Sequence, residues 1–266
     1  MRTPISYYGG KQRMINHILP LIPPHRIYVE PFFGGGSIFF AKGPSFLEVI
    51  NDTNDNVVNF FRIMKTRLPE LNAEIDATLY SESDYKRARK IYRSPRGYSR
   101  MNRAWAFWIV SNNSFAHSTL NGGVKFDQGT NGSHTGIVFD RRKKQLKEYE
   151  GRLAQVQIEC RDALNVIDRR DDPETFFYLD PPYPGADQGP YKGYTSEVLQ
   201  KLLDVLTGIK GKFMLSNYPS ELLDQYVILN DWHVKLFDMR LSAPKRNGDR
   251  KREVLVMNYQ PENKLF

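Results

Sequence analysis

The chain is 266 residues long and 40% hydrophobic, with 38 Lys and Arg against 30 Asp and Glu, a formal charge of +8. That size and apolar content suit one large domain, or one domain with a sizeable insertion, and exclude a disordered or fibrous chain; the basic balance favours a polyanionic partner without dictating a fold. Cys160 is the single cysteine, which excludes an internal disulfide and a cysteine-based zinc cluster and suits a reducing cytoplasm, and no apolar run approaches the ~18 residues of a membrane span, so a soluble, unsecreted protein is expected.

In chain order, HRIYVEPFFGGGSIFFA (25–41) reads as a strand, a Gly-rich turn and the start of a helix, and FLEVINDTNDNVVNFFRIMKTR (46–67) as a second strand, a polar turn and an amphipathic helix. These look like the opening of a doubly wound α/β sheet. Composition then shifts to the basic, Tyr-bearing SESDYKRARKIYRSPRGY (81–98), followed by an expected helix at MNRAWAFWIVSNNSFAHS (101–118) that runs into a polar loop. Residues 118–136 are rich in Gly and Asn, with turn signals at Asn121-Gly122 and Asn131-Gly132. Regular α/β patterning resumes with VQIECRDA, FFYLD, a helix through SEVLQKLLDVLTGI and KFMLSN, and closes on a hairpin-like pair, WHVKLFDMRLS and REVLVMNY. The economical architecture is an α/β domain interrupted by a basic helical insertion at about 65–150.

Three stretches carry chemistry. In EPFFGGGS, Phe32, Gly34 and Gly36 form F-x-G-x-G at a strand-to-helix turn, where glycine permits positive φ and close approach of the backbone to a ligand. A plain tight turn is the other reading of the glycines. The dinucleotide pattern G-x-G-x-x-G is broken, because Phe39 stands where its third Gly would be. Asp52, at the end of the next expected strand, suits ribose hydroxyls, or else a surface turn. In FFYLDPPYPG, four apolar or aromatic residues precede Asp180, and Pro181 ends the strand because it has no N–H and a fixed φ. Asp180 therefore falls at the carboxyl edge, where open α/β sheets bind ligands. The carboxylate with the carbonyls of Pro181 and Pro182 makes a stiff set of acceptors complementary to an exocyclic amine, and Tyr183 adds a π-face for a base. The third stretch, Tyr85 to Arg103, offers clustered Lys and Arg with Tyr85, Tyr92 and Tyr98 interleaved, either a nucleic-acid grip or a solvated helix face. Lys245, Arg246, Arg250, Lys251 and Arg252 form a second basic loop with the same two readings.

Taken together, YYGGKQR, VEPFFGGGS, INDTN, LDPPY, LSN and RNGDRKREVLVMNY, in that order, resemble the Dam-type, amino-group DNA adenine methyltransferases, which use S-adenosylmethionine. The resemblance implies a Rossmann-like methyltransferase sheet from residues 1–65 and 150–266, with a smaller, mainly helical recognition insert at 66–149. It implies cofactor contacts at Tyr7, Lys11, Phe32, Gly34, Gly36, Asp52, Asp162 and Asp180, with Asp162 at the cofactor adenine, and a catalytic tetrad of Asp180, Pro181, Pro182 and Tyr183 acting on a flipped base. Contacts to double-stranded DNA are expected at Arg87, Arg93, Arg96, Arg103, Asn112, Asn121, Lys245 and Arg246. No metal is expected, since a methyl on a sulfonium is already a strong electrophile.

Rival activities fit less well. Cytosine C5 methylation needs a cysteine nucleophile, and Cys160 lies between Glu159 and Arg161 outside any Pro-Cys element. Cytosine N4 methylation targets a similar amine, although Ser in place of Asp180 would have favoured it. A nicotinamide oxidoreductase suffers from the broken glycine pattern. A catalytically silent DNA-binding module would explain the charge but not DPPY beside a cofactor loop.

Overall fold

A computed structural model describes residues 1–114, 134–149, 151–185, 191, 193–240 and 250–261. Its elements run α1 (Ile15–Ile18), β1 (Ile27–Glu30), α2 (Ser37–Ala41), β2 (Leu47–Asn51), α3 (Asp55–Asp76), α4 (Glu82–Arg93), α5 (Arg100–Asn113), α6 (His134–Gln145), β3 (Gln157–Glu159), α7 (Ala163–Arg170), β4 (Thr175–Leu179), α8 (Ser196–Leu206), β5 (Lys212–Asn217), α9 (Glu221–Leu229), β6 (His233–Arg240) and β7 (Arg250–Met257). They gather into two units. One comprises residues 1–15, 34–44 and 52–160, the other residues 16–33, 45–51 and 161–266. The Gly/Asn-rich loop with Asn121, and the basic loop with Lys245 and Arg246, lie outside the described residues.

The second unit is the expected α/β sheet. Its strands stand in the order β2-β1-β4-β5-β7-β6. β2, β1, β4 and β5 are parallel, and β7 runs antiparallel to both β5 and β6. Every residue of β4 is buried, as a parallel strand covered on both faces requires, which is why TFFYL shows no polar alternation. One face carries Val29, Val49, Phe177, Leu179, Phe213 and Leu215. Against it packs α8, whose Leu199, Leu202, Leu203 and Leu206 recur at helical spacing. On the other face, Tyr28, Phe176 and Tyr259 meet ring to ring. The hairpin pairs β6 with β7 from His233↔Met257 to Arg240↔Arg250, as the sequence suggested.

Strand order reverses between β1 and β4, so the crevice outside their carboxyl ends is the place where such a sheet accepts ligands. The start of β5 is pinned from both sides. The Asp171 carboxylate accepts from the N–H groups of Lys210 and Gly211, each at 2.9 Å, and the Asn258 amide accepts from Phe213 N–H at 2.8 Å while donating to Gly211 C=O at 2.9 Å. This fixes where the far end of β5 falls.

The first unit is mainly helical. Helix α5 is buried without a break from Ala104 to Asn113, the pattern of a helix covered all round. Trp105 Nε1 donates to Thr78 Oγ1 at 2.7 Å, Asn59 Nδ2 donates to Arg100 C=O at 2.9 Å, and Phe107 packs on Phe60 and Tyr92. Helices α4 and α5 begin at Ser81 and Ser99, whose hydroxyls accept from the N–H groups of Asp84 and Asn102. Helix α3 is interrupted at Arg67 (φ −147°, ψ 38°), two residues before Pro69, whose missing N–H and ring cannot continue the preceding turn.

Gly211→Ala is expected to destabilise the protein by about 1–3 kcal/mol in denaturant unfolding. A Cβ there would sit 2.9 Å from Thr175 O and 3.0 Å from Asp172 O, both backbone atoms that cannot step aside.

Candidate active site

Asp180 follows β4 directly, half-buried, with Pro181 buried after it. The chain then folds back so that Tyr183, 8% exposed, reaches the neighbouring strand end. Its hydroxyl donates to Asp180 Oδ1 at 3.2 Å and lies 2.8 Å from Ser216 Oγ. The ring meets Tyr218 edge-on, centroids 4.3 Å apart. Burial, and then the charges of Asp180 and Glu253, push the Tyr183 hydroxyl well above the usual phenol range, so it keeps its proton at any working pH. Asn217, buried between Ser216 and Tyr218, accepts from Tyr218 N–H at 2.7 Å. The sequence pointed to the tetrad but not to Ser216 or Tyr218. Their signal was the sudden polarity that closes the apolar run KFMLSN, a pattern that also fits a strand running out into a loop.

Also in this unit, Asn51 at the end of β2 is 1% exposed and joins two loops. Its Nδ2 donates to Pro31 C=O at 2.9 Å and Arg161 C=O at 3.1 Å, and its Oδ1 accepts from Arg161 N–H at 2.9 Å. Those loops carry the neighbouring candidates Phe32 and Asp162. Asp162 caps α7, accepting from Leu164 N–H at 2.9 Å. Phe32 meets Tyr194 edge-on at 6.5 Å, and the Tyr194 hydroxyl is raised by burial and by the Asp162 charge. Neither Asn51 nor Tyr194 stood out in the sequence.

The first unit holds the glycine loop and its partners. Gly34 (φ +49°) and Gly36 (φ +68°) both take the left-handed conformation. Asp52, 3% exposed, accepts from Gly34 N–H through Oδ2 and from Asn54 N–H through Oδ1, each at 2.8 Å. Asn54 Nδ2 in turn donates to the Tyr7 hydroxyl at 3.2 Å. A Cβ on Gly34 would lie 3.0 Å from the Tyr7 ring, and one on Gly35 would lie 3.1 Å from Tyr7 Cβ. The glycines therefore serve two ends: backbone conformation at Gly34 and Gly36, and close packing of Tyr7 on the loop. Lys11 is buried, its ammonium donating to Gly9 C=O at 3.2 Å.

The expected DNA-binding residues divide sharply. Arg87, Arg93 and Arg96 are exposed. Arg87 lays its guanidinium over the Trp105 ring at 4.9 Å. Arg103 donates to Asp55 Oδ2 at 2.6 Å and to Asn56 Oδ1 at 3.2 Å. Asn112 is buried, accepting from Ser6 N–H at 3.1 Å and from Arg142, so it anchors the segment leading to Tyr7. Of the interleaved tyrosines only Tyr98 is exposed: Tyr85 hydrogen-bonds with Ser114 and Tyr92 stacks on Phe107. Cys160 is exposed, its thiol raised by partial desolvation and then by Asp55. Among the described residues no cluster of three or more His, Cys, Asp or Glu could hold a metal, and no helix is long and apolar enough to cross a membrane.

A mostly parallel sheet with an acidic Pro-Pro-Tyr turn at its switch point defines the second unit as an open α/β domain. The model of the D12 class N6 adenine-specific DNA methyltransferases matches residues 7–239, and the chain belongs to that family. It is 26% identical to the modification methylase StsI of Streptococcus sanguinis, across all of this chain and 44% of that protein. It is 25% identical to the type II methyltransferase M1.LlaDCHI of Lactococcus lactis subsp. cremoris, covering 97% of this chain and 96% of that one. With the DNA adenine methylase of Escherichia coli K12 it shares 22% identity over 98% and 96% of the two chains. It thus spans less than half of the first of these relatives and nearly all of the other two.

Asp52→Ala leaves the N–H groups of Gly34 and Asn54 without their charged acceptor, and a loss of about 1–3 kcal/mol in folding stability is expected. Asp52→Asn, which keeps one side-chain oxygen, should cost less. Thermal unfolding of the two variants side by side checks the order.

Proposed function

We propose that the chain methylates the N6 amine of adenine in double-stranded DNA, the target base being flipped out of the stack, with S-adenosylmethionine as the methyl donor. The cofactor, when bound, supplies a methyl group on a sulfonium, electrophilic enough for direct transfer without a covalent enzyme intermediate. The observation that carries this reading is the placement of Asp180 at the carboxyl end of β4 in hydrogen-bond contact with Tyr183. The Asp180 carboxylate and the Pro181 carbonyl accept the two amine hydrogens and hold the nitrogen lone pair out of conjugation with the ring, while Tyr183 offers the base a face. Tyr7, Lys11, Phe32, Gly34, Gly36, Asp52, Asp162 and Asp180 remain the proposed cofactor contacts from the sequence resemblance. Asp52 takes the ribose hydroxyls, and Asp162 the cofactor adenine.

Flipping a base costs a few kcal/mol, which phosphate contacts offset. We take residues 66–149 as the DNA-recognition insert, a reading supported by the break of α3 at Arg67. Within it Arg93 and Arg96 are the proposed phosphate contacts. Arg87, exposed but laid over Trp105, and Arg103, paired with Asp55 at the surface, remain proposed contacts of the same kind, whereas Asn112 is buried and holds Ser6. Asn121, Lys245 and Arg246 remain proposed DNA contacts from the sequence resemblance.

DNA from cells expressing the protein is expected to carry N6-methyladenine at one short sequence, read by single-molecule modification sequencing. Asp180→Ala should lower methylation by at least about 100-fold while the thermal midpoint stays within a few degrees; activity within threefold of wild type would remove Asp180 from the chemistry.

If Arg93 and Arg96 each neutralise a phosphate, replacing either by Ala should flatten the slope of log affinity for duplex DNA against log salt by about 0.9 and weaken all sequences alike. An unchanged slope would make that residue part of a solvated face.

A further inference from the structure

We infer that Ser216 is a positioning residue for the transfer step: its hydroxyl donates to Tyr183, which commits the single phenolic proton of Tyr183 to Asp180 and so fixes the carboxylate that receives the amine. This rests on the assignment of Asp180 to the chemistry. The direction of both hydrogen bonds follows from counting protons. Asp180 as a carboxylate only accepts, so in the 3.2 Å contact the Tyr183 hydroxyl is the donor. A phenol has one proton, so in the 2.8 Å contact Tyr183 is the acceptor and Ser216 the donor. The three groups form a one-way chain, Ser216 to Tyr183 to Asp180.

The fold delivers the three members with little freedom. Ser216 is fully buried near the end of β5, and Tyr183 is 8% exposed. Leu179 pairs with Leu215 in the parallel register, so Asp180 and Ser216 are the next residues along adjacent strands. Tyr183 spans them from the turn. Tyr218 closes the same corner, its ring 4.3 Å from that of Tyr183, so the phenol is held at its oxygen by Ser216 and at its ring by Tyr218. Within such a desolvated chain each bond polarises the next. A Tyr183 hydroxyl that lost the Ser216 donor would keep its proton but gain freedom to turn about its C–O bond, and Asp180 Oδ1 would be held less firmly.

The inference distinguishes Ser216 from a residue that merely fills space, because its effect must pass through the Tyr183 hydroxyl. On duplex DNA carrying the methylated sequence, Ser216→Ala should lower kcat by about 3- to 10-fold, the range of one neutral hydrogen bond, with S-adenosylmethionine affinity by calorimetry unchanged within twofold. Ser216→Thr, which retains a hydroxyl, should recover most of the rate. In a Tyr183→Phe background, which keeps the ring and loses the oxygen, adding Ser216→Ala should change kcat by less than twofold. Multiplicative losses in the double variant, or wild-type kcat in Ser216→Ala, would overturn the inference. Should Ser216→Ala fail to fold, Tyr183→Phe alone decides, since wild-type kcat without the phenolic oxygen leaves no chain to act through. Wild-type protein that methylates no adenine, or an active Asp180→Ala, would instead mark failure of the functional reading beneath it.

Discussion

The structure of the site depends on a strand that is buried on both faces and then forbidden to continue. β4 is buried throughout because a helix and neighbouring rings cover its two sides, and Pro181 removes the donor that a further ladder step would need. A carboxylate set at that junction avoids burial within the sheet and stands half-buried at its edge. Charge there is affordable only where polar groups meet it, and Tyr183 is such a group. Proline stiffness, strand burial and the return of Tyr183 are therefore one constraint seen at three positions.

The glycine loop answers a different problem, that of holding an irregular backbone still without side chains. Asp52 does so by accepting from N–H groups eighteen and two residues away in sequence, at Gly34 and Asn54. Tyr7 presses on the loop where any Cβ would intrude. The amino-terminal segment is itself tethered by Asn112 at Ser6. A loop held by a carboxylate, a ring and an amide is already ordered, and such preorganisation lowers the cost of any binding it takes part in.

Much of this was legible in the sequence, for identifiable reasons. Apolar runs ending in Asp-Pro-Pro announce a parallel strand and its edge, and Leu199, Leu202, Leu203 and Leu206 announce one face of a helix. What escaped was everything decided by tertiary partners. Tyr85 and Tyr92 sit among Lys and Arg in the sequence and so read as part of a nucleic-acid grip or a solvated face, yet with Ala88 and Ile91 they form the buried stripe of α4. Arg103 and Arg93 are indistinguishable by composition. The fold brings Asp55 to Arg103 in a partly exposed ion pair, while Arg93 lies exposed on α4. The polarity that closes KFMLSN could not single out Ser216, because its partner lies thirty-three residues earlier in the chain.

The lone thiol has a practical meaning apart from the chemistry of the site. Cys160 is exposed, is the only cysteine of the chain, and stands two positions before Asp162. A maleimide dye would therefore attach at one defined place without any engineered background, next to the loop that Asn51 clamps at Arg161. Because the thiol is held above its ordinary range, its thiolate fraction, and with it the labelling rate, rises as the solution is made more alkaline. The wild-type chain thus carries its own attachment point for a fluorescent reporter of events at this strand edge.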